Sequence, residues 1–163
     1  STSTAMIGRA MSFDGVNDKI GSFVSPPAST VFTIQTWVNI GAINSGFRCI
    51  YADDSRGVWL SSRKIYWGGG GKFFTGTGIL NTATWYHIAV TYDGINITSY
   101  INGTLDKTET ATIDHLPTGV NLAIGSIGTE IFNGLIDEVK IWNYARSAEQ
   151  IKQDYDRGLR GSP

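Results

Sequence analysis

One cysteine in 163 residues excludes an internal disulfide, and with it a cystine-stapled module, although not secretion itself. That cysteine, Cys49, sits among Arg48, Ile50 and Tyr51 and reads as a small buried hydrophobe rather than a nucleophile. With only 2 histidines, His87 and His115, the chain lacks the clustered His and Cys that zinc requires. No apolar run reaches the roughly eighteen residues of a transmembrane helix. Charged residues make up 17% of the chain, the formal net charge is -1, and lysines and arginines are scattered. Nothing in that balance draws the protein to nucleic acid or into a membrane. The glycine run Gly68 to Gly71 lacks a following Lys-Ser or Lys-Thr and a helix, so it is no phosphate loop. A Gly-x-Ser-x-Gly nucleophile elbow is also missing. The opening Ser1-Thr2-Ser3-Thr4 fits a processed or excised domain.

What the chain has instead is 20 glycines, many Asn, Thr and Ser, and 12% aromatic residues. Short strands joined by glycine and asparagine turns produce this mixture. Phe32, Ile34 and Val38 alternate with Thr33, Gln35 and Trp37, which assigns the two sets to opposite faces of one strand. The segments 48–52, 57–61 and 64–67 read as further strands. Trp85 to Ile101 reads as a hairpin about Asp93-Gly94, and Asn102-Gly103 turns the chain again. Pro117-Thr118-Gly119 supplies another turn before a strand at 120–125. Near the end, Ser147-Ala148-Glu149-Gln150 has the form of a capping box, Ile151 and Tyr155 form a short apolar stripe, and Gly158 suits a helix stop. The expectation is one domain over residues 1–163, an all-β, two-sheet antiparallel jelly-roll sandwich with one short C-terminal helix.

In the strand Leu135 to Trp142, a regular alternation puts Asp137 on one face with Leu135, Val139 and Ile141. A carboxylate on a core face needs compensation, and a bound cation is the simplest source. Calcium takes six to eight oxygen ligands. Asp14, Asn17 and Asp18 offer side-chain oxygens within one tight segment, with Asp137 closing the site from the far end of the chain. The competing reading is that the first-turn aspartates cap turns and that Asp137 accepts local donors.

Five ordered motifs, Phe13 to Asp18, Phe32 to Val38, Trp85 to Gly94, Tyr100 to Gly103 and Phe132 to Asn143, together with the tail Ala145 to Ile151, resemble the laminin-G-like, concanavalin A-like lectin/glucanase superfamily. The resemblance implies a jelly-roll sandwich, often with structural calcium, used as a sugar-binding or adhesion module of extracellular enzymes and surface proteins. It matches Asp14, Asp18 and Asp137 to aspartates of the group and implies that the first turn and the late strand lie together. The related glucanases carry Glu-x-Asp-x-x-Glu or Glu-x-Asp-x-Glu on one strand. That cluster is missing here, so no catalytic residue is assigned and the chain is read as a non-enzyme.

A sugar site combines aromatic platforms with a few polar groups. Residues 47–74 are the richest supply, from Phe47 to Phe73 and Phe74. Within them Trp59, Tyr66 and Trp67 are the candidate platforms, with Arg48, Arg56 and Asp54 as polar partners. Trp67 stands out because Gly68 leaves room beside it; Trp37, Trp85 and Trp142 are assigned to structure. The leading expectation is a noncatalytic carbohydrate-binding module, stabilised by calcium, that anchors a larger extracellular or cell-surface protein to an oligosaccharide or polysaccharide. The alternative is a structural or adhesion module that binds protein in a cell-surface or virion assembly. A glycan hydrolase or lyase ranks third.

Overall fold

The structure is a computed structural model that describes residues 10–22, 30–42, 46–53, 56–69, 72–112 and 122–160. In chain order the strands are β1 (Met11–Asp14), β2 (Ile20–Ser22), β3 (Phe32–Ile40), β4 (Phe47–Asp53), β5 (Arg56–Ser61), β6 (Lys64–Gly69) and β7 (Lys72–Thr75). There follow β8 (Trp85–Tyr92), β9 (Asn96–Ile101), β10 (Thr104–Thr110), β11 (Leu122–Ile124), β12 (Ser126–Ile127), β13 (Glu130–Ile131) and β14 (Asn133–Trp142). The chain then forms the helix α1 (Ala148–Leu159).

Two six-stranded antiparallel sheets make a sandwich, as expected. The first has the order β1-β14-β3-β8-β9-β10 and the second β2-β11-β4-β5-β6-β7. Between them lies one apolar core. Phe32, Ile34, Val38 and Ile136 come from the first sheet, and Ile50, Val58, Ile65 and Trp67 from the second. On β3, β5 and β6 each core residue is flanked by neighbours that point to the other face, whereas a register shift in β4 puts Ile50 and Tyr51 both in the core. The hairpin β12–β13 lies against β4.

The helix α1 covers the middle of the outer face of the first sheet. Ser147 caps the helix by accepting a hydrogen bond from the Gln150 amide at 3.2 Å. The Gln150 side chain accepts from the Ser147 amide at 3.0 Å, completing the expected capping box. Fully buried Ile151 packs with Ala89 and Tyr100, and Tyr155 stacks on Trp37 at 5.6 Å. The helix runs through Gly158 to a cap at Arg160, so Gly158 does not stop it. Its lack of a side chain serves contact instead: a Cβ there would lie 2.6 Å from the Trp37 indole.

The late strand corrects the expected placement of Asp137. Ile136 pairs with Val38 and Asp137 with Trp37, but the next pair is Lys140 with Gln35. Three steps on β14 therefore face two on β3, which defines a β-bulge, and Glu138 takes a left-handed φ of 51° there. One extra residue reverses the alternation. Ile136 faces the core, Val139 and Ile141 pack against it, and Asp137 lies on the outer face with Trp37.

Candidate functional site

The outer face of the second sheet carries four partly or fully exposed aromatics. On β5, Trp59 lies between the core residues Val58 and Leu60; on β6, Tyr66 lies between Ile65 and Trp67; on β7, Phe73 precedes the core residue Phe74. Trp59 pairs directly with Tyr66, and Phe73 pairs with Gly68. Tyr66 is the hub. Its ring lies 4.6 Å from Phe47, 6.2 Å from Trp59 and 5.9 Å from Phe73, the last nearly parallel at 29°. Phe73 is 69% exposed.

Glycines on the same face let these rings lie flat. Gly57 and Gly68 pair across β5 and β6. A Cβ on Gly57 would meet the Trp59 ring at 2.5 Å, and one on Gly68 would meet Phe73 at 3.3 Å. Aromatic rings laid over cross-strand glycines cover backbone that would otherwise be hydrated. The result is a broad apolar surface on a rigid sheet.

Polar groups border it. Burial, and then the negative charge of Glu130, raise the Tyr66 hydroxyl above its ordinary range. Burial and the same Glu130 charge push the Cys49 thiol up to about 12, against a smaller opposing effect of Lys19. Cys49 is fully buried opposite Trp59, so it is an inert packing residue, as its neighbours in sequence suggest.

The other sugar-site candidates separate. Trp67 is 0% exposed, stacked on Phe32 at 6.0 Å, and cannot serve as a platform. The room made by glycine is used inside: a Cβ on Gly69 would lie 2.6 Å from the Arg56 Cβ and 3.0 Å from the Trp67 ring. Arg56 is also interior. It is ion-paired to buried Asp53 at 2.9 Å, with its guanidinium 5.0 Å from the Phe32 ring centre. Arg48 donates to the Phe47 carbonyl at 2.9 Å and borders a small recess with Ile40 and Leu60, away from the aromatic face. Asp54 lies outside the described residues, as does His115. Of the six candidates, Trp59 and Tyr66 meet on one surface. Phe47 and Phe73 join them. Their signal in the sequence was strand parity: Phe73 alternates with core-facing Phe74 and therefore points out.

Of the four calcium candidates, Asp14, Asn17 and Asp18 share the first turn, and Asp137 stands on β14. Asp14 and Asp18 behave as turn caps. Asp14 accepts from the Val16 amide at 2.7 Å, and Asp18 accepts from the Asp14 amide at 2.8 Å. The first turn does lie beside the late strand, but Asp14 pairs with Asn133, whose side chain donates to the Asp14 carbonyl at 2.7 Å. Asp137 is four residues further along, about 13 Å at the usual strand rise. It accepts from the Glu138 amide at 2.8 Å. Among the described residues no three or more His, Cys, Asp or Glu side chains form a metal-sized group.

Among solved structures, a native heptameric SAP-like pentraxin from Limulus polyphemus is 16% identical with a TM-score of 0.69, over 86% of this chain and 78% of that one. Domain 4 of AbnA, an extracellular arabinanase of Geobacillus stearothermophilus in complex with arabinotriose, is 21% identical with a TM-score of 0.76, over 90% and 76%. The binding domain of Paraclostridial Mosquitocidal Protein 1 is 14% identical with a TM-score of 0.73, over 90% of this chain and 43% of that one. At these identities the likeness establishes the fold. No curated protein matches the sequence. The profile of one family matches residues 15–152, most of the chain. The chain belongs to the concanavalin A-like lectin/glucanase superfamily.

Proposed function

We propose that this chain is a noncatalytic carbohydrate-binding module that holds a glycan on the aromatic face of the second sheet. The observation that carries the proposal is the hub at Tyr66, which touches Phe47, Trp59 and Phe73 on a surface open to solvent. Sugar rings present apolar C–H faces, and aromatic rings on a rigid sheet meet them with little loss of conformational freedom. Glu130 beside the surface supplies an acceptor for hydroxyls. The arabinotriose bound by the arabinanase domain supports an oligosaccharide as the ligand class.

Such a site is shallow, so its affinity is weak and useful chiefly where a larger extracellular protein carries several copies. No described helix is long and apolar enough to cross a membrane. Calcium enters this proposal only at the first turn, through Asp14, Asn17 and Asp18, with Asp137 left out.

The test is a glycan array followed by calorimetry on the hits. Wild type binds at least one neutral oligosaccharide at millimolar or better affinity. Trp59→Ala loses about 1.4 kcal/mol, a factor of about ten, and Trp59→Ala with Phe73→Ala removes binding. Absence of any wild-type hit, or a hit indifferent to both substitutions, overturns the proposal. Capture of a protein ligand by the same face would support the adhesion alternative instead.

A further inference from the structure

The helix α1 is joined to the sandwich in a different way from the strands. Among the described residues no backbone hydrogen bond runs from α1 to a sheet. Side chains alone dock it: Ile151 against Ala89 and Tyr100, Tyr155 against Trp37, and Asp154 as acceptor from Gln35 at 2.9 Å. The chain leading into the helix is clamped separately. The Thr33 hydroxyl donates to the Tyr144 carbonyl at 2.8 Å and accepts from the Arg146 amide at 2.9 Å. Elements without ladder bonds open at lower free energy than the core strands, and the clamp at Thr33 gives that opening a hinge.

Under the docked helix lies a buried base. The sheet fixes the backbone of His87 on both sides. It pairs with Trp37 of β3, its amide donates to Asn102 Oδ1 at 3.0 Å, and its carbonyl accepts from the Asn102 amide at 2.7 Å. The ring lies 5.2 Å from Trp37 and 6.1 Å from Tyr155. A neutral imidazole keeps one ring nitrogen bare, whereas a charged one carries a proton on both. Nδ1 is buried and has no acceptor among the described residues. Charging His87 beneath the helix therefore puts a donor where nothing receives it.

The surrounding charges do not relieve this. Strand β14 brings Lys140 and Glu138, paired with each other at 2.6 Å. The segment before the helix brings Arg146, and α1 brings Lys152, Asp154 and Arg157. Lys152 pairs with Asp156 at 2.5 Å and lies 5.4 Å from the Tyr155 ring. Asp154 is engaged by Arg146 at 2.7 Å and by Arg157 at 3.7 Å, besides Gln35. Strand β3 contributes neutral Gln35 and Trp37. Burial lowers the His87 value from 6.5 to about 4, Asp154 opposes it, and Lys140 and Arg146 add to it. Once the helix leaves, water reaches the ring and it titrates in its ordinary range. Between pH about 6.5 and about 4 the undocked form binds a proton that the docked form refuses, so falling pH favours undocking.

We propose that α1 is an acid-released latch: protonation of His87 frees the helix from the first sheet about the clamp at Thr33 and bares Trp37, Ala89 and Tyr100, while the two sheets stay folded. The latch lies on the first sheet and does not depend on what the aromatic face of the second sheet binds.

The test is amide hydrogen exchange followed by NMR on the full chain from pH 7 to pH 5, with each rate corrected for its intrinsic pH dependence. At both ends of the range the α1 amides from Ile151 to Gly158 are at least tenfold less protected than the amides of β4 and β5, because the helix opens alone. From pH 7 to pH 5 the α1 protection falls at least tenfold. In His87→Gln, which carries no titrating ring, the fall is at least fivefold smaller. If His87→Gln does not fold, His87→Phe takes its place, and if neither folds the wild-type profile decides alone. A wild-type fall of less than tenfold overturns the proposal. So does a fall in the variant that comes within fivefold of wild type. Protection of α1 within tenfold of β4 and β5 overturns it too, since the helix then leaves only when the whole sandwich unfolds.

Discussion

The indole of Trp37 rests on Gly158, so close that an added Cβ would lie 2.6 Å from the ring. This contact seats α1 on the first sheet. Gly158→Ala therefore sets two effects against each other. Alanine gains up to about 1 kcal/mol of helix propensity, and overpacking a close contact costs about 1–3 kcal/mol. The clash involves a ring held between Gly158 and Tyr155, which leaves it little freedom to move. Thermal unfolding of Gly158→Ala is expected at a lower temperature than wild type, and a rise would show that Trp37 repacks freely.

A second tie holds the turn before β8 to the edge of the first sheet. Asp106 accepts from the Thr77 hydroxyl and the Gly78 amide, each at 2.7 Å, and from the Ser99 hydroxyl at 2.7 Å. Burial works to raise its carboxyl, but the bonds from Thr77, Ser99 and Gly78 outweigh it and hold the group below its ordinary range. Asp106→Ala strands several donors and should cost about 2 kcal/mol in urea unfolding at neutral pH. Asp106→Asn retains an acceptor and should cost less. Equal losses in the two variants would assign the effect to packing rather than to hydrogen bonding.

The sandwich was legible because strand parity survives in the sequence. Phe32, Ile34 and Val38 alternate with Thr33, Gln35 and Trp37, and both sets lie where that alternation puts them. The capping box at Ser147 was legible because it is local. Asp137 was not, because a bulge leaves no mark in an alternating pattern: Glu138 looks like any strand residue until its φ is known. Trp67 was misplaced for a related reason. Glycines beside a tryptophan signal that room has been made, but not on which face, and here the ring fills the interior. The bond from Gln35 to Asp154 under α1 was not legible either, because its partners are far apart in sequence and meet only once the helix docks.

The bulge gives the calcium question a sharp form. Asp14 and Asp18 share the first turn, whereas Asp137 lies on the outer face beside Trp37. Any rise in melting temperature produced by millimolar calcium should be the same in Asp137→Asn as in wild type, because the ion stabilises only through residues that contact it. The rise should disappear in Asp14→Asn with Asp18→Asn. Calorimetric scans with calcium and with chelator check both arms. Loss of the calcium response on Asp137→Asn alone would restore the four-residue site and contradict the register of β14.

Buried His87 makes stability depend on mild acid. Burial lowers its folded-state value from 6.5 to about 4; nearby Lys140 and Arg146 add to the effect, and Asp154 opposes it. Trp37 and Tyr155 complete its surroundings, at 5.2 and 6.1 Å. Between pH about 6.5 and about 4 the unfolded chain binds a proton that the folded chain refuses, so the folded state loses ground as the pH falls. At 1.36 kcal/mol per pH unit, the loss reaches about 3 kcal/mol by the lower end of the window. Above pH about 6.5 this contribution is fully present. Asp106 and Asp93 also sit below their ordinary values, but carboxylates held low protonate only at the acid end of this window or below it. Urea midpoints between pH 7 and 5 therefore isolate the histidine. Wild type is expected to weaken steadily over that range, and His87→Gln, which does not titrate, to stay level. A parallel decline in both proteins would mean that His87 accepts its proton without disturbing the docking of α1, and that the acid sensitivity originates elsewhere.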